Sequence, residues 1–312
     1  MKSKTKGAWI LHHTKKLSGV TTNEFEDIEL AGKCGTFLAS LAASHEESDL
    51  TGEKVNAIAK VSNVKKTEIE TIKNILKSEH LIDTGKDGSI AVLGITTSSV
   101  LDHTSTIFNN SKPNAYQKAA LEISEKISEL PMPEKELREE ISDKHKLSKD
   151  ETDDLFAQSE EIGFVDHESA DGRSKLYFNG NLFRRDSIAK TQAVLGTLKA
   201  ADMNKVTEVD ELLTRQGCAT VEKLQFILGE ELFKKLIAIG MYDQNEVSNS
   251  DERQVLITKP AAFAKYGDPF EADALDMAKA FVAALYYGMN FSNAGRGSIR
   301  SLKYLMKRLI AG

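Results

Sequence analysis

Long apolar runs are absent from this sequence. No stretch approaches the roughly 20 consecutive uncharged apolar residues that span a bilayer, and the apolar residues after the early lysines form too short a run for a signal peptide. We therefore expect a protein that makes no membrane contact and stays in the cytoplasm.

Cysteine is scarce, with two residues in the whole chain. Cys34 and Cys218 are far apart in apolar surroundings, and no Cys-x-x-Cys or Cys/His spacing typical of a zinc site occurs. Both are predicted to be reduced, buried thiols. We expect no metal site.

Catalytic motifs are also missing: there is no Walker loop, Gly-x-Gly-x-x-Gly, His-Glu-x-x-His, nucleophile elbow or carboxylate cluster at catalytic spacing. His12 and His13 follow the apolar run 9–11, where a strand would point adjacent side chains in opposite directions, so a structural role is expected. The pair Gly295 and Gly297 is too short to cradle phosphate. We predict that the protein is not an enzyme and uses no cofactor.

Length and charge set broader limits. A chain of 312 residues with 40% apolar content predicts about two to four compact units. The net charge of −6 argues against a protein that coats nucleic acid uniformly. A chain average can hide a local basic face, so charge has to be counted segment by segment.

The segment 58–72, IAKVSNVKKTEIETI, has the pattern of a helix-turn-helix. Ala59 supplies the small residue where the helices cross, and Asn63 tolerates the left-handed backbone of the turn. Val64 is predicted to fill the space between the helices, and the second helix to bury Ile69, Ile72 and Leu76. The outer face, which fits a DNA major groove, then carries Lys65, Lys66, Thr67, Glu70, Thr71 and Asn74.

A helix predicted from Phe25 to Ala43 precedes this motif, and a hairpin follows it. Asp87 and Gly88 supply the hairpin turn, and residues 89–95 are predicted to form a strand. Three helices and a hairpin in this order indicate a winged helix.

The pattern repeats along the chain. The sequence HLID at 80–83 is followed by GFVD at 163–166 and GMYD at 240–243, each before a polar hairpin and a strand. The predicted fold is therefore mainly α with small β-hairpin wings. Its parts are a basic N-terminal arm (1–19), three tandem winged-helix modules (20–110, 111–186 and 187–267, the last degenerate) and a C-terminal helical segment (268–312).

Helix positions are predicted within the later modules. In the second they are 115–130, 134–143 and 148–161, with Ser148 and Glu151 at capping-box spacing. In the third, residues 220–240 form either one recognition helix or two short helices broken at Gly229.

The wings of the second and third modules, DGRSKLYF (171–178) and DERQVLIT (251–258), resemble the wing of the MarR family of DNA-binding regulators. In that family the arginine of an Asp-x-Arg sequence reaches the minor groove. The resemblance implies this role for Arg173 and Arg253, with the preceding aspartates orienting them. The first wing has Lys86 and no arginine.

The modules differ in the charge of the helix that would dock on DNA. This difference matters because phosphate contacts require cations on the docking face. Residues 1–23 contain five lysines and no acid, and the first module carries Lys65 and Lys66. The matching helix of the second module carries three acids, Asp150, Asp153 and Asp154, and that of the third is electrically neutral. The first module is therefore the predicted DNA reader, and the second a spacer or protein-binding surface.

Two functions remain open from the sequence. The first is binding of double-stranded DNA, as a regulator or as the DNA-sensing subunit of a larger complex. The second is a protein-interaction scaffold of tandem winged helices, and the C-terminal helices are a candidate surface for a homodimer or another protein. The predicted DNA contacts are Lys65, Lys66, Thr67, Thr71, Asn74, Lys86, Arg173, Lys175, Arg253, Arg300, Lys303 and Lys307.

Overall fold

The computed structural model describes residues 1–45, 50–85, 88–170, 174–183, 188–248, 253–259, 266, 281–282, 284–291 and 299–311. The protein is mainly helical and carries small antiparallel sheets, which confirms the predicted fold class. It divides into two compact units, Met1–Asn179 and Gly180–Gly312.

The first module is built from five helices and a two-stranded hairpin. In chain order these are α1 (Ser3–Leu17), α2 (Glu26–His45), α3 (Gly52–Val61), α4 (Ile69–Ser78), β1 (Ile82–Thr84), β2 (Ile90–Val92) and α5 (Thr97–Asn110). Ile82 pairs with Val92 in the antiparallel hairpin, and Leu50 forms a bridge to Ile90. The hairpin strand predicted for 89–95 is therefore shorter than expected.

The N-terminal segment differs from the expected basic arm, because it forms helix α1. Trp9, Ile10 and Leu17 are buried, and the helix packs against α2 and α5. The physical reason is that its apolar side chains recur at helical spacing, so one face is buried while the lysines lie on the other. His12 and His13 consequently lie on a helix, and the prediction of a strand there is wrong.

Two glycines allow α1 to approach its neighbours closely. A Cβ atom on Gly7 would lie 2.0 Å from the carbonyl oxygen of Leu101 in α5, and one on Gly32 would lie 1.9 Å from Thr14 Oγ1. Real Cβ atoms do not come so near to other heavy atoms, so Gly7 lets α1 approach the backbone of α5, and Gly32 leaves room on α2 for the Thr14 side chain of α1. The sequence patterns gave no helix for α5, although the capping box of Thr96 and Ser99 marks its start.

The helix pair α3 and α4 matches the sequence prediction. Asn63 has a φ of 56° in the turn, and Ala59 and Val64 are buried between the helices. Ile69, Ile72 and Leu76 are buried on the inner face of α4, as the spacing predicts.

The second module contains α6 (Ala115–Glu129), β3 (Met132–Pro133), α7 (Glu134–His145), α8 (Lys149–Ile162), β4 (Asp166–Ala170) and β5 (Ser174–Phe178). Its strands form a sheet in the order β3-β5-β4. The capping box of Ser148 and Glu151 is present at the start of α8, which confirms that prediction.

Side chains of the first two modules pack and hydrogen-bond across their boundary, so the modules share one core. Trp9 Nε1 donates to Glu125 Oε2 over 2.7 Å, and His13 Nε2 lies 2.9 Å from Ser124 Oγ, so α1 is fixed to α6. The ring of His13 lies 3.9 Å from that of Phe164, centroid to centroid. These contacts hold the two modules as one unit.

Burial keeps both α1 histidines neutral. It lowers the pKa of His12 to about 4, with Lys16 and Lys15 adding to the effect, and it lowers the pKa of His13 well below its usual value. In the unfolded chain both rings bind a proton as pH falls through about 6.5. The folded state does not bind these protons, so acid favours unfolding.

We therefore expect the first unit to lose stability on acidification from about pH 6.5, with a slope approaching 1.4 kcal/mol per pH unit for each histidine, about 1.4 being one pKa unit of free energy. Urea unfolding at pH 7.0 and pH 5.5 measures this loss. The variant His12→Gln/His13→Gln should show a much smaller difference between the two pH values. An equal difference in the variant and the parent would contradict the assignment.

The second unit contains α9 (Ile188–Gly196), α10 (Ala200–Gln216), β6 (Ala219–Thr220), α11 (Val221–Leu228), α12 (Glu230–Ala238), β7 (Asp243–Ser248) and β8 (Arg253–Thr258). The break between α11 and α12 falls at Gly229, whose φ is 83°, so the segment is two short helices. The sheet order β6-β8-β7 matches the order in the second module.

The C-terminal segment is described in part. Residues 284–290 are helical. The sequence predicts a further helix over 298–310, and α13 (Leu302–Ala311) begins four residues later than that. The backbone N–H of Ile299 donates to the carbonyl of Gly288 over 2.9 Å. The sequence predicts an apolar stripe of Ala274, Ala278, Phe281, Val282 and Leu285 here; Ala274 and Ala278 lie outside the described residues, and Phe281 is 42% exposed. Among the described helices, none combines the length and apolar content needed to cross a membrane.

Both cysteines are free and buried, as predicted. Burial raises the pKa of Cys34 to about 12 and that of Cys218 to about 11. Both therefore remain protonated thiols at neutral pH, and protonated thiols are weak nucleophiles.

Candidate nucleic-acid interface

A polar groove lies between α3 and the start of α4. We call it the lysine groove. Its volume is about 530 Å³, and its lining residues are Asn56, Lys60, Asn63, Val64, Lys65, Lys66 and Ile69. The three lysines are exposed, and none of these lining residues is acidic. Such a groove attracts anions, because lysine ammonium groups and asparagine amides both donate hydrogen bonds.

Local backbone contacts shape the lysine groove. The N–H of Val64 donates to the carbonyl of Ala59 over 2.9 Å, which closes the left-handed turn at Asn63. The N–H of Lys65 donates to Glu68 Oε2 over 2.8 Å. These bonds direct the Lys65 and Lys66 side chains to solvent while Val64 points inward.

The outer face of α4 continues from the lysine groove. Thr67, Thr71 and Asn74 are exposed, as the helical spacing predicted. Glu70 is the acidic residue predicted on this face, and its carboxylate lies 3.1 Å from Lys73 Nζ. The pair reduces the repulsion that Glu70 alone would exert on phosphate.

The groove is anchored to α2 by a nearly buried ammonium group. Lys33 Nζ lies 2.7 Å from Glu29 Oε1 and 2.8 Å from Glu68 Oε1. Burial alone would lower the pKa of Lys33, but the hydrogen bonds to the two carboxylates outweigh it and raise that pKa. Burial would likewise raise the pKa of Glu68, and the bonds from Lys33 and from the Lys65 N–H lower it instead. Lys33 and Glu68 are therefore both charged at neutral pH.

The predicted wing contacts fall into two groups. Lys86 and Arg173 lie outside the described residues. Lys175 Nζ contacts both oxygens of Glu160, at 2.8 and 2.9 Å, and Arg253 pairs with Glu246. The last two cations are therefore already bound by carboxylates of their own modules.

The C-terminal cations are exposed. Arg300 precedes α13, and Lys303 and Lys307 lie on it. They belong to the second unit, whereas the lysine groove belongs to the first.

The first turns of α8 carry acids, whereas the segment directly before α4 carries Lys65 and Lys66. Asp153 pairs with Arg138 over 2.9 Å, and Asp154 accepts from Tyr116 Oη over 2.7 Å. Asp150 is exposed at the start of the helix. In α12 of the third module, each glutamate of the first turn pairs with a lysine four residues later, Glu230 with Lys234 and Glu231 with Lys235. The regions around the starts of α4, α8 and α12 therefore differ in charge.

No protein-family model matches this chain. A search of curated proteins also found no match. Within the part of the chain that the structure describes, no three His, Cys, Asp or Glu side chains are grouped to hold a metal ion.

Sequence reasoning missed two members of the site. Lys60 lies in the lysine groove beside Asn56, and the four-residue spacing of this pair on α3 could have placed both on one face. Lys33 was missed because Glu68, its carboxylate partner directly before α4, is 35 residues away in sequence, and the local pair with Glu29 gives no sign of that contact.

Proposed function

We propose that this protein binds double-stranded DNA through the lysine groove and the outer face of α4, as a regulator or as the DNA-sensing subunit of a larger assembly. The observation that carries the proposal is the groove itself, in which three exposed lysines and two asparagines converge without an acid among the lining residues. Phosphate contacts of this kind provide most of the nonspecific affinity of DNA-binding proteins.

The order of elements in the first module also supports the proposal. Two helices joined by a tight turn and followed by a hairpin are the arrangement of a winged helix, the class to which we assign all three modules. In this arrangement α4 enters the major groove. Thr67, Thr71 and Asn74 would then face base edges, while Lys65 and Lys66 contact the phosphates at the start of the helix.

The second module is proposed to support the first without reading DNA. Its equivalent helix carries Asp150, Asp153 and Asp154, which repel phosphate. It shares a core with the first module through α1 and α6, and so it holds α1 and α2 in place.

A salt series tests the proposal. Binding of the full chain to a random duplex should weaken steeply with salt, with a slope of log K against log salt of roughly −0.9 for each phosphate contact, hence near −3 for three lysines. Fluorescence anisotropy from about 50 to 300 mM salt gives the slope directly, because log K falls linearly with log salt. A slope close to zero would exclude the phosphate-binding role.

One observation favours a scaffold as the second candidate function. On α13, Leu309 and Ile310 are 55% and 81% exposed, and Leu302 and Tyr304 are also exposed. Apolar side chains beside the cations of one helix suit a protein partner, either a second copy or another chain. A flat salt series would favour this role over DNA binding.

A further inference from the structure

The turn between α3 and α4, residues 62–68, touches α2 through two polar links. At one end, Ser62 Oγ donates to Ser40 Oγ over 3.0 Å. At the other end, Lys33 Nζ donates to Glu68 Oε1 over 2.8 Å. The residues between these links include Lys65, Lys66 and Thr67, which are the proposed DNA contacts at the start of α4.

Packing is loose where this turn meets α2 around Lys33, although Val64 of the same turn is buried between α3 and α4. A cavity of about 240 Å³ lies between α1, α2 and the turn, and Lys33 lines it together with Ser62 and Asn63. Lys33 also lines a second cavity, of about 360 Å³, with Glu29 and Glu68. The Lys33 ammonium group therefore lies between these two cavities. Its ion pairs with Glu29 and Glu68 hold it there in place of close-packed side chains.

Glu68 transmits the contact from Lys33 to the backbone. One carboxylate oxygen accepts from Lys33, and the other accepts from the Lys65 N–H over 2.8 Å. Glu68 also directly precedes α4. A displacement of Glu68 would therefore move the Lys65 backbone and the start of the helix together.

Lys33 is itself held in place from the α2 side. Glu29 lies one helical turn earlier, and its carboxylate is 2.7 Å from Lys33 Nζ. The Lys33 side chain is 10% exposed, so its position leaves little room for direct contact with a nucleic acid. It can act on bound DNA only through the residues that it holds.

We propose that Lys33 is a positioning residue, which fixes the turn 62–68 against α2 and thereby presents Lys65 and Lys66 in one defined orientation. The effect on the turn stands on the contacts alone. The effect on DNA affinity rests on the proposed function.

Amide hydrogen exchange in the free, full-length protein tests the effect on the turn. In Lys33→Met, the Lys65 amide should exchange about tenfold faster, since a charge-assisted hydrogen bond contributes an equilibrium factor of about ten or more. The Leu76 amide, about two helical turns beyond Glu68 in α4, should keep its rate, because the buried face of that helix is unchanged there. Lys33→Arg should restore slow exchange at Lys65, because a guanidinium group can contact both carboxylates.

Two further variants separate positioning from general stability. Glu29→Gln removes the other carboxylate on Lys33 but no link to the turn, so the Lys65 amide should stay protected. Glu68→Gln keeps an oxygen for the Lys65 N–H and removes the ion pair, so it should accelerate exchange even if Lys33→Met fails to fold. Unchanged exchange at Lys65 in Lys33→Met, or in Glu68→Gln if Lys33→Met does not fold, would overturn the proposal. So would equal acceleration at Lys65 and Leu76, which would mean that Lys33 only stabilises α4.

Binding of the same variants to a random duplex gives the second readout. Lys33→Met should bind about tenfold more weakly and with a smaller salt slope, since a loosened turn holds fewer phosphates, while Lys33→Arg should bind like the parent. If exchange at Lys65 rises and affinity stays constant, positioning is established and the proposed DNA-binding function is what fails. The two proposals can therefore fail separately.

Discussion

Replacing Lys65 and Lys66 together with glutamate is expected to abolish detectable binding to duplex DNA while leaving the first unit folded. Both side chains are exposed and line the lysine groove. Each reversal removes an attraction to phosphate and adds a repulsion of about 1 kcal/mol or more at contact distance. Two reversals should therefore reduce affinity by a factor of at least about 100 at 100 mM salt. Anisotropy titration measures the loss, and circular dichroism verifies the fold.

A matched control separates the site from the overall charge. Lys135→Glu/Lys149→Glu changes the net charge of the chain equally, at two exposed lysines of the second module. This control should bind DNA with at most a small loss, because distant exposed charges are largely screened. Equal losses in the two double variants would show that the lysine groove is not the binding site.

The second large effect is expected from Val64→Asp, which should unfold the first unit. Val64 is 5% exposed between α3 and α4, so an aspartate there would bury a carboxylate without a partner. Burial of an unpaired polar or charged group costs several kcal/mol, which is a large part of the roughly 5–15 kcal/mol that stabilises a domain. Thermal unfolding followed by circular dichroism should show a transition lowered by roughly 10–20 °C or no cooperative transition, given about 2–4 °C per kcal/mol for a unit of this size.

Val61→Asp is the matched control. Val61 is the same residue type three positions earlier, and it is 86% exposed. The change should leave the unfolding transition within a few degrees of the parent, as surface substitutions usually cost no more than about 0.5 kcal/mol. A normal transition in Val64→Asp would mean that Val64 does not fill the space between the helices.

The shared core of the first two modules has a functional consequence. Contacts from α1 to α6, including Trp9 with Glu125 and His13 with Ser124, hold both modules in one unit. Among the described residues of that unit, the first module presents Lys65 and Lys66 directly before α4 in a groove whose lining contains no acid, whereas α8 of the second module begins with acids. The proposed DNA contact is therefore confined to the first module, and structural support is the role we propose for the second.

Local sequence predicted those features that short-range contacts determine. The left-handed Asn63, the buried Val64 and the capping box of Ser148 each depend on residues within about five positions along the chain. Their hydrogen bonds and steric limits are the same wherever the segment lies in the protein. The repeated order of helices and hairpins followed from the same local patterns.

Tertiary structure decided the rest, because the deciding partners are distant in sequence. Residues 1–19 contain five lysines and resemble a basic arm in sequence. In the structure they form helix α1, which packs against α2 and α5 and buries Trp9 and Ile10. Lys175, a candidate DNA contact by its position in the wing, is bound to Glu160 on α8. Lys33 acquires its place beneath the proposed DNA-contacting turn only when Glu68, 35 residues away, comes within 2.8 Å. The sequence contains the type and charge of each residue, but the tertiary structure determines which groups pair with it or bury it.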